Sequence, residues 1–323
     1  MPLDPGTGLR ARFTKRKKHT LLMAGALAAL VCMAYHSATA QSLTTVTTES
    51  EAPEVSADPV PALLDAGFRN LYELNFQDAR EQFLAYQKAR PQDPMGVVAE
   101  AASHLYEQFN AKGVFTSAFF LDNDKFLNGV DGTPAENENK PFLRANDRAR
   151  QMARNQLKSN PTDKQALLVL TMADGMESNY DALIVKKQLA ALSLMKQAEA
   201  EATKLLAVDP NAQDAYLALG TSNYVIGCLS GFKRAFLWFG GVHGDRQRGI
   251  DQMQRAADHG QYLKPFAKIM LALACEREHQ TDRARELLRQ LTQEFPSNPI
   301  FLHELALLDH HSAVQCKVTA SIG

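Results

Sequence analysis

From residue 61 onward the chain reads as one helix after another. In "PALLDAGFRNLYELN" and "FQDAREQFLAYQKARPQDP" (61–94), apolar side chains recur at spacings of three and four, the period of a helix buried along one stripe. Small residues stand where two such helices must approach closely: Gly67 on the first and Ala79 on the second, with Phe83 one turn beyond Ala79 on the same face. Pro91 stops the second helix. The same texture runs on to "FLHELALL" (301–308), and there is almost no strand pattern. The expected class is all-α.

The spacing of small and large residues resembles the tetratricopeptide repeat (TPR), a helix-turn-helix unit of about 34 residues. Leu63, Gly67, Ala79, Phe83 and Pro91 stand at the family's marked positions. The register returns with Val97 and Ala101, then Ala149 and Pro161, then Leu167 and Leu170, then Ala198 and Pro210. It returns again at Tyr216, Leu219 and Gly220, and at Gly249, Met253 and Ala256. An uninterrupted unit supplies Ala272, Ala284, Leu288 and Pro296. The family's Trp and Tyr positions are mostly filled otherwise, so these are divergent repeats. The resemblance implies an α-solenoid over 61–312, in which neighbouring units bury each other's apolar faces. The tail 313–323 is expected to fray.

Three insertions, about 111–140, 180–195 and 228–244, fall between the first and second helices of a unit. Insertions at one point of a repeat project from one side, often the binding side. They are rich in large apolar groups, each worth about 1.5–3 kcal/mol when buried. The second is expected to merge into one helix over 180–207. The aromatics are expected to pack together and close part of the concave surface. The alternatives are an open groove for a peptide or small ligand, and a membrane-interface contact by "FKRAFLWF". Candidate partner contacts are Phe115, Phe119, Phe120, Tyr180, Phe232, Phe236 and Trp238, with Arg246 and Arg248 beside them.

Catalytic and metal motifs fail on inspection. "GGVHGDRQRGIDQMQRAADHG" (240–260) lacks the Lys-Ser/Thr that a phosphate loop needs after its last glycine, and no buried strand feeds it. Asp245 is better read as a helix cap. "HELALLDHH" has Leu307 where a zincin motif requires His, leaving His303 and His310 on one face without a third ligand in view. "DNDKFLNGVDG" (122–132) lacks the Gly and Glu of a calcium loop. No catalytic residue, cofactor or metal is expected.

Charge adds a compartment. The first 40 residues hold six Lys/Arg and one acid; the remainder holds 29 bases and 35 acids. "FTKRKKHT", then the apolar "LLMAGALAALVCMAY", then Ala38-Thr39-Ala40 read as a signal peptide (1–40) cleaved after Ala40. Residues 41–60, rich in Thr, Ser, Glu and Pro, read as a disordered linker. The expectation is an exported, periplasmic or secreted protein. Cys228, Cys275 and Cys316 would remain after cleavage, with no zinc or thioredoxin spacing. A formal net charge of -1 lends no support to a nucleic-acid partner. The resulting expectation is a non-enzymatic scaffold for a protein or peptide. The competing readings are a carrier or sensor for an apolar small molecule and a peripheral membrane-surface protein.

Overall fold

A computed structural model describes residues 58–130, 140–229 and 243–322, apart from the side chains at 127, 128 and from 311 onward. The signal peptide, nearly all of the 41–60 linker, Phe232, Phe236, Trp238 and the Cys316 side chain lie outside the described residues. No strand occurs among those described.

The helices are α1 (Val60–Tyr72), α2 (Phe76–Ala89), α3 (Met95–Ala111), α4 (Ser117–Phe120), α5 (Asn123–Asn128), α6 (Lys140–Ser159), α7 (Lys164–Tyr180), α8 (Gln188–Val208), α9 (Ala215–Cys228), α10 (Arg246–His259), α11 (Lys264–Arg277), α12 (Thr281–Glu294) and α13 (Pro299–Ile322). Apart from the short α4 and α5, each packs on the next in sequence, and α1, α3, α7 and α9 also touch one another in turn. That is a two-layer helical solenoid. The first helices of each unit (α1, α3, α7, α9, α11) form the inner layer, and the second helices (α2, α6, α8, α10, α12) form the outer one.

The positions marked by the register are the contact points. Ala79, Ala101, Ala149, Ala198, Ala272 and Ala284 are all buried. Helices α9 and α10 approach closely. A Cβ on Gly249 would stand 2.6 Å from the Tyr224 amide nitrogen and 2.7 Å from the Gly220 carbonyl oxygen. These helices therefore touch backbone to backbone, which only glycine allows. Asp245 caps α10, its Oδ1 accepting from the Arg248 N–H at 2.8 Å. In the two units without insertions, the turn between the helices passes through one left-handed residue, Leu74 (φ 65°) or His279 (φ 58°).

Two expectations are corrected. The helix expected over 180–207 is interrupted: after α7 comes a π-helical turn, Asp181–Val185, then left-handed Lys186 (φ 63°), before α8 begins. The first insertion imposes the break. The Val130 N–H donates to the Leu183 carbonyl at 2.8 Å, drawing that acceptor out of the helical ladder. Gly129 (φ 82°) makes the approach possible, since a Cβ there would collide with the same carbonyl. The second correction is the tail, which continues α13 as helix to Ile322. Residues 313–322 contain neither Pro nor Gly, so nothing in them stops a helix.

The solenoid curls far enough for its two ends to meet. The Tyr72 hydroxyl donates to the Tyr262 carbonyl at 3.0 Å, and Asn298 Nδ2 donates to the Tyr72 carbonyl at 2.8 Å. Phe68 stacks on Tyr262, and Tyr72 lies against Phe295. Buried Asp214, ahead of α9, accepts the N–H groups of Gln261, Tyr262 and Leu263 and so holds this loop in place. Burial pushes its carboxyl up, against the lowering effect of the three donors.

Candidate partner-binding surfaces

Closure turns the concave face into a small cavity of about 70 Å³. Its walls come from every inner helix: Phe68 and Tyr72 of α1, Ala102 and Tyr106 of α3, Met172 and Met176 of α7, Leu217 and Ala218 of α9, and Phe266 of α11. Thr171, Thr221 and Asn179 supply the polar groups. The Thr171 and Thr221 hydroxyls donate to the Leu167 and Leu217 carbonyls one turn back. The lining is thus largely apolar.

The first insertion packs on two of the rings that line this space, Tyr106 and Phe266. Phe115 packs edge-on against Tyr106 and Phe109, with ring centroids at 5.3 and 5.8 Å, and also meets Phe266. Phe119 and Phe120 are buried, and Phe120 meets Phe126 at 4.7 Å. Arg277 of α11 holds the segment from below. Its Nη1 donates to the Phe120 carbonyl at 2.8 Å, its Nη2 to Asn123 Oδ1, and its guanidinium lies over the Phe126 ring. Asp122 Oδ1 caps α5 through the Asp124 and Lys125 N–H groups, so the residues with a calcium-loop flavour form a helix start.

Several candidate contacts therefore belong to the interior. Phe119, Phe120 and Tyr180 are buried, Tyr180 against Phe142, and Phe115 is a partly buried plug among inner-layer rings. Large rings next to a solenoid's inner surface gain more by joining its core than by remaining in water. Arg246 is also engaged within the chain. Its Nε donates to the Gly227 carbonyl at the end of α9, and its Nη1 reaches Glu278 at 3.3 Å. Arg248 is exposed. Phe232, Phe236 and Trp238 lie outside the described residues.

Sequence reasoning passed over the cavity wall. A signal for it was present: an apolar pair at i, i+4 on each of the first three inner helices, Phe68/Tyr72, Ala102/Tyr106 and Met172/Met176. The denser aromatic runs of the insertions masked it.

A pair of acids forms a second feature that no motif announces. Glu276 of α11 and Glu304 of α13 line a cavity of about 10 Å³ whose other walls are apolar, with Phe115, Leu288, Leu291 and Phe301 among them. Glu304 is buried and its Oε2 accepts from the Ser117 N–H at 3.1 Å. Glu276 Oε1 is buried without a hydrogen-bond partner. Burial, and then the nearby Glu304 charge, push the Glu276 carboxyl up to about 7. Burial also raises the Cys228 and Cys275 thiols, so neither has the lowered pKa of a reactive thiolate. His303 and His310 gain no third candidate ligand, since no metal-holding cluster occurs among the described residues. No helix among those residues is long and apolar enough to cross a membrane.

Residues 265–308, covering α11, α12 and the start of α13, match the family described as a tetratricopeptide repeat. Those 44 residues thus carry one tetratricopeptide repeat. The match falls on the unit that its own register marks as uninterrupted, where both helices follow each other without an insertion. A solved structure of a thermophilic TPR protein from Thermus thermophilus is similar at 15% identity, over 77% of this chain and 98% of that chain, with a TM-score of 0.42. No curated protein sequence matches.

Proposed function

We propose that this repeat protein is a non-enzymatic scaffold that binds a protein partner, seating one apolar side chain of that partner in the concave cavity. The fold supports the general part, because helical repeats of this kind present an inner surface to protein ligands. The cavity's size carries the specific part. A cavity of about 150 Å³ takes benzene, and sites for drug-sized ligands run to about 300–1,000 Å³. At about 70 Å³, this one suits a single aliphatic side chain better than a carried small molecule. The polar threonines and Asn179 at its wall suit the backbone that would accompany such an anchor.

The test is peptide selection by phage display on the whole chain, repeated on Ala218→Leu, which fills the cavity. Selected peptides are expected to share one aliphatic position and to lose binding to the filled variant. Peptides that bind both forms equally would place recognition elsewhere. A small molecule retained in native mass spectrometry and displaced by Ala218→Leu would favour a carrier. The same reading includes export, which rests on the N-terminal charge and apolar pattern; it predicts a mature N-terminus at Gln41 in the exported fraction, and a purely cytosolic, uncleaved chain would remove that part.

A further inference from the structure

We propose that the outward face of α6 is a second docking surface, one that takes an acidic peptide segment of a partner protein. It goes beyond the concave-face reading and does not depend on it. The 20-residue helix carries six bases, Lys140, Arg144, Arg148, Arg150, Arg154 and Lys158, and one acid, Asp147. At 3.6 residues per turn, the exposed residues Lys140, Arg144, Asp147, Arg148, Gln151, Arg154, Asn155 and Lys158 fall on about a third of the circumference. The opposite stripe, with Phe142, Ala145, Ala149 and Ala153, is buried against the inner layer.

Arg150 is the one base turned inward. It reaches Asp174 at 2.8 Å and Glu177 at 2.6 Å. Asp147 leans toward that same guanidinium, at 3.4 Å, and so contributes less to neutralising the outer row. No carboxylate among the described residues forms an ion pair with Arg144, Arg148, Arg154 or Lys158. Arg148 instead reaches the Gln87 amide oxygen, and Lys158 the Asn155 amide oxygen. On each of the other outer helices at least one base does find an acid: Arg80 with Glu107, Lys204 with Glu201, Arg246 with Glu278, and Arg285 with Asp309. Positive charge is thus gathered on one helix of a chain whose residues beyond 40 hold more acids than bases.

Charge complementarity selects the occupant. From Arg144 to Lys158 the row is about 21 Å long, the reach of about six or seven extended residues. Arg144 to Arg148, and Arg154 to Lys158, each span about 6 Å, close to the spacing of alternate residues in an extended strand. Arginine forks suit carboxylates at that spacing. The exposed residues between the bases are Asp147, Gln151 and Asn155, so this face offers neither apolar groups to enter a bilayer nor aromatics on which bases could stack. A long polyanion would also meet the acidic remainder of the chain, whereas a short acidic segment would not.

The test uses the whole chain and fluorescein-labelled decaglutamate, read by fluorescence anisotropy at 50 and 200 mM salt. The triple variant Arg144→Ala/Arg154→Ala/Lys158→Ala is expected to weaken binding about tenfold or more at low salt, with a shallower salt dependence. The control triple Lys88→Ala/Lys196→Ala/Arg289→Ala, also made of exposed bases, is expected to change it less than about twofold. Reversing the three α6 charges to Glu should transfer binding to labelled decalysine, and Ala218→Leu should leave decaglutamate binding unchanged. Equal losses in the two triples would overturn the proposal. So would failure to bind decaglutamate while anionic phosphatidylglycerol vesicles sediment the chain through the same three residues, since the face would then serve a membrane surface.

Discussion

Replacing Glu276 by Gln should change how stability depends on pH. In the folded chain this carboxyl titrates near 7, against an ordinary value of 4.5. The folded state therefore binds the extra proton between those limits, and stability falls as pH rises through that window. Below 4.5 both states are protonated and the stabilisation is fully present; above 7 its loss is complete. At about 1.4 kcal/mol per pH unit, the whole interval would amount to about 3 kcal/mol. Glu276 is only partly buried, so solvent screening should reduce this to roughly 1–2 kcal/mol. Gln keeps the shape, removes the titration and offers Glu304 an N–H donor. Urea unfolding of both proteins at pH 4.5, 5.5, 6.5 and 7.5 measures the effect. Asp174, Asp181 and Asp214 are also raised, but they are present in both proteins and largely cancel in the difference. The variant should gain on the parent by roughly 1–2 kcal/mol between the lowest and highest pH, with an unchanged m-value. Parallel pH profiles would refute the argument that the two carboxyls interact in an apolar pocket.

Three further changes probe the packing. Gly249→Ala should cost about 1–3 kcal/mol in chemical denaturation, because its methyl meets backbone on α9, whereas Gly175→Ala, with nothing within 4 Å of its Cβ, should be neutral or stabilising by up to about 1 kcal/mol; similar values at the two sites would contradict the close contact of α9 and α10. His279→Gly should raise the melting temperature by relieving a left-handed residue worth about 1–2 kcal/mol, offset in part by the unfolded-state entropy of glycine; a lower melting temperature would mean that this turn carries no strain. Asp245→Ala should cost about 1 kcal/mol by uncapping α10, and Asp245→Asn much less; equal losses would show that the cap is not the reason.

The α-helical repeats were legible in the sequence because their determinants are local. Helical period, stop residues and the spacing of small residues act within one unit or between neighbours. So Gly67, Ala79, Gly220, Gly249 and Ala284 could be assigned to helix contacts from spacing alone, and Asp245 to a cap from its place before a helix. The candidate binding surface was less legible. Whether Phe119 and Phe120 face a partner or the core depends on where Arg277 arrives, some 150 residues later. The wall of the cavity depends on Tyr72 meeting Tyr262 and Asn298.

The break after Tyr180 shows the division most clearly. By local preference the segment should continue as helix to about 207. It does not, because the Val130 N–H and the open side of Gly129 reach Leu183 from another part of the chain. Local pattern was enough for an all-α chain, the register of its repeats and the places where helix touches helix. Closure of the ring, burial of the first insertion, the shared pocket of Glu276 and Glu304, and the interrupted helix arose only once distant segments had met. The physical reason is range: periodicity and propensity act over a few turns, whereas a backbone carbonyl or a carboxylate takes its partner from whatever the completed fold brings within about 3 Å.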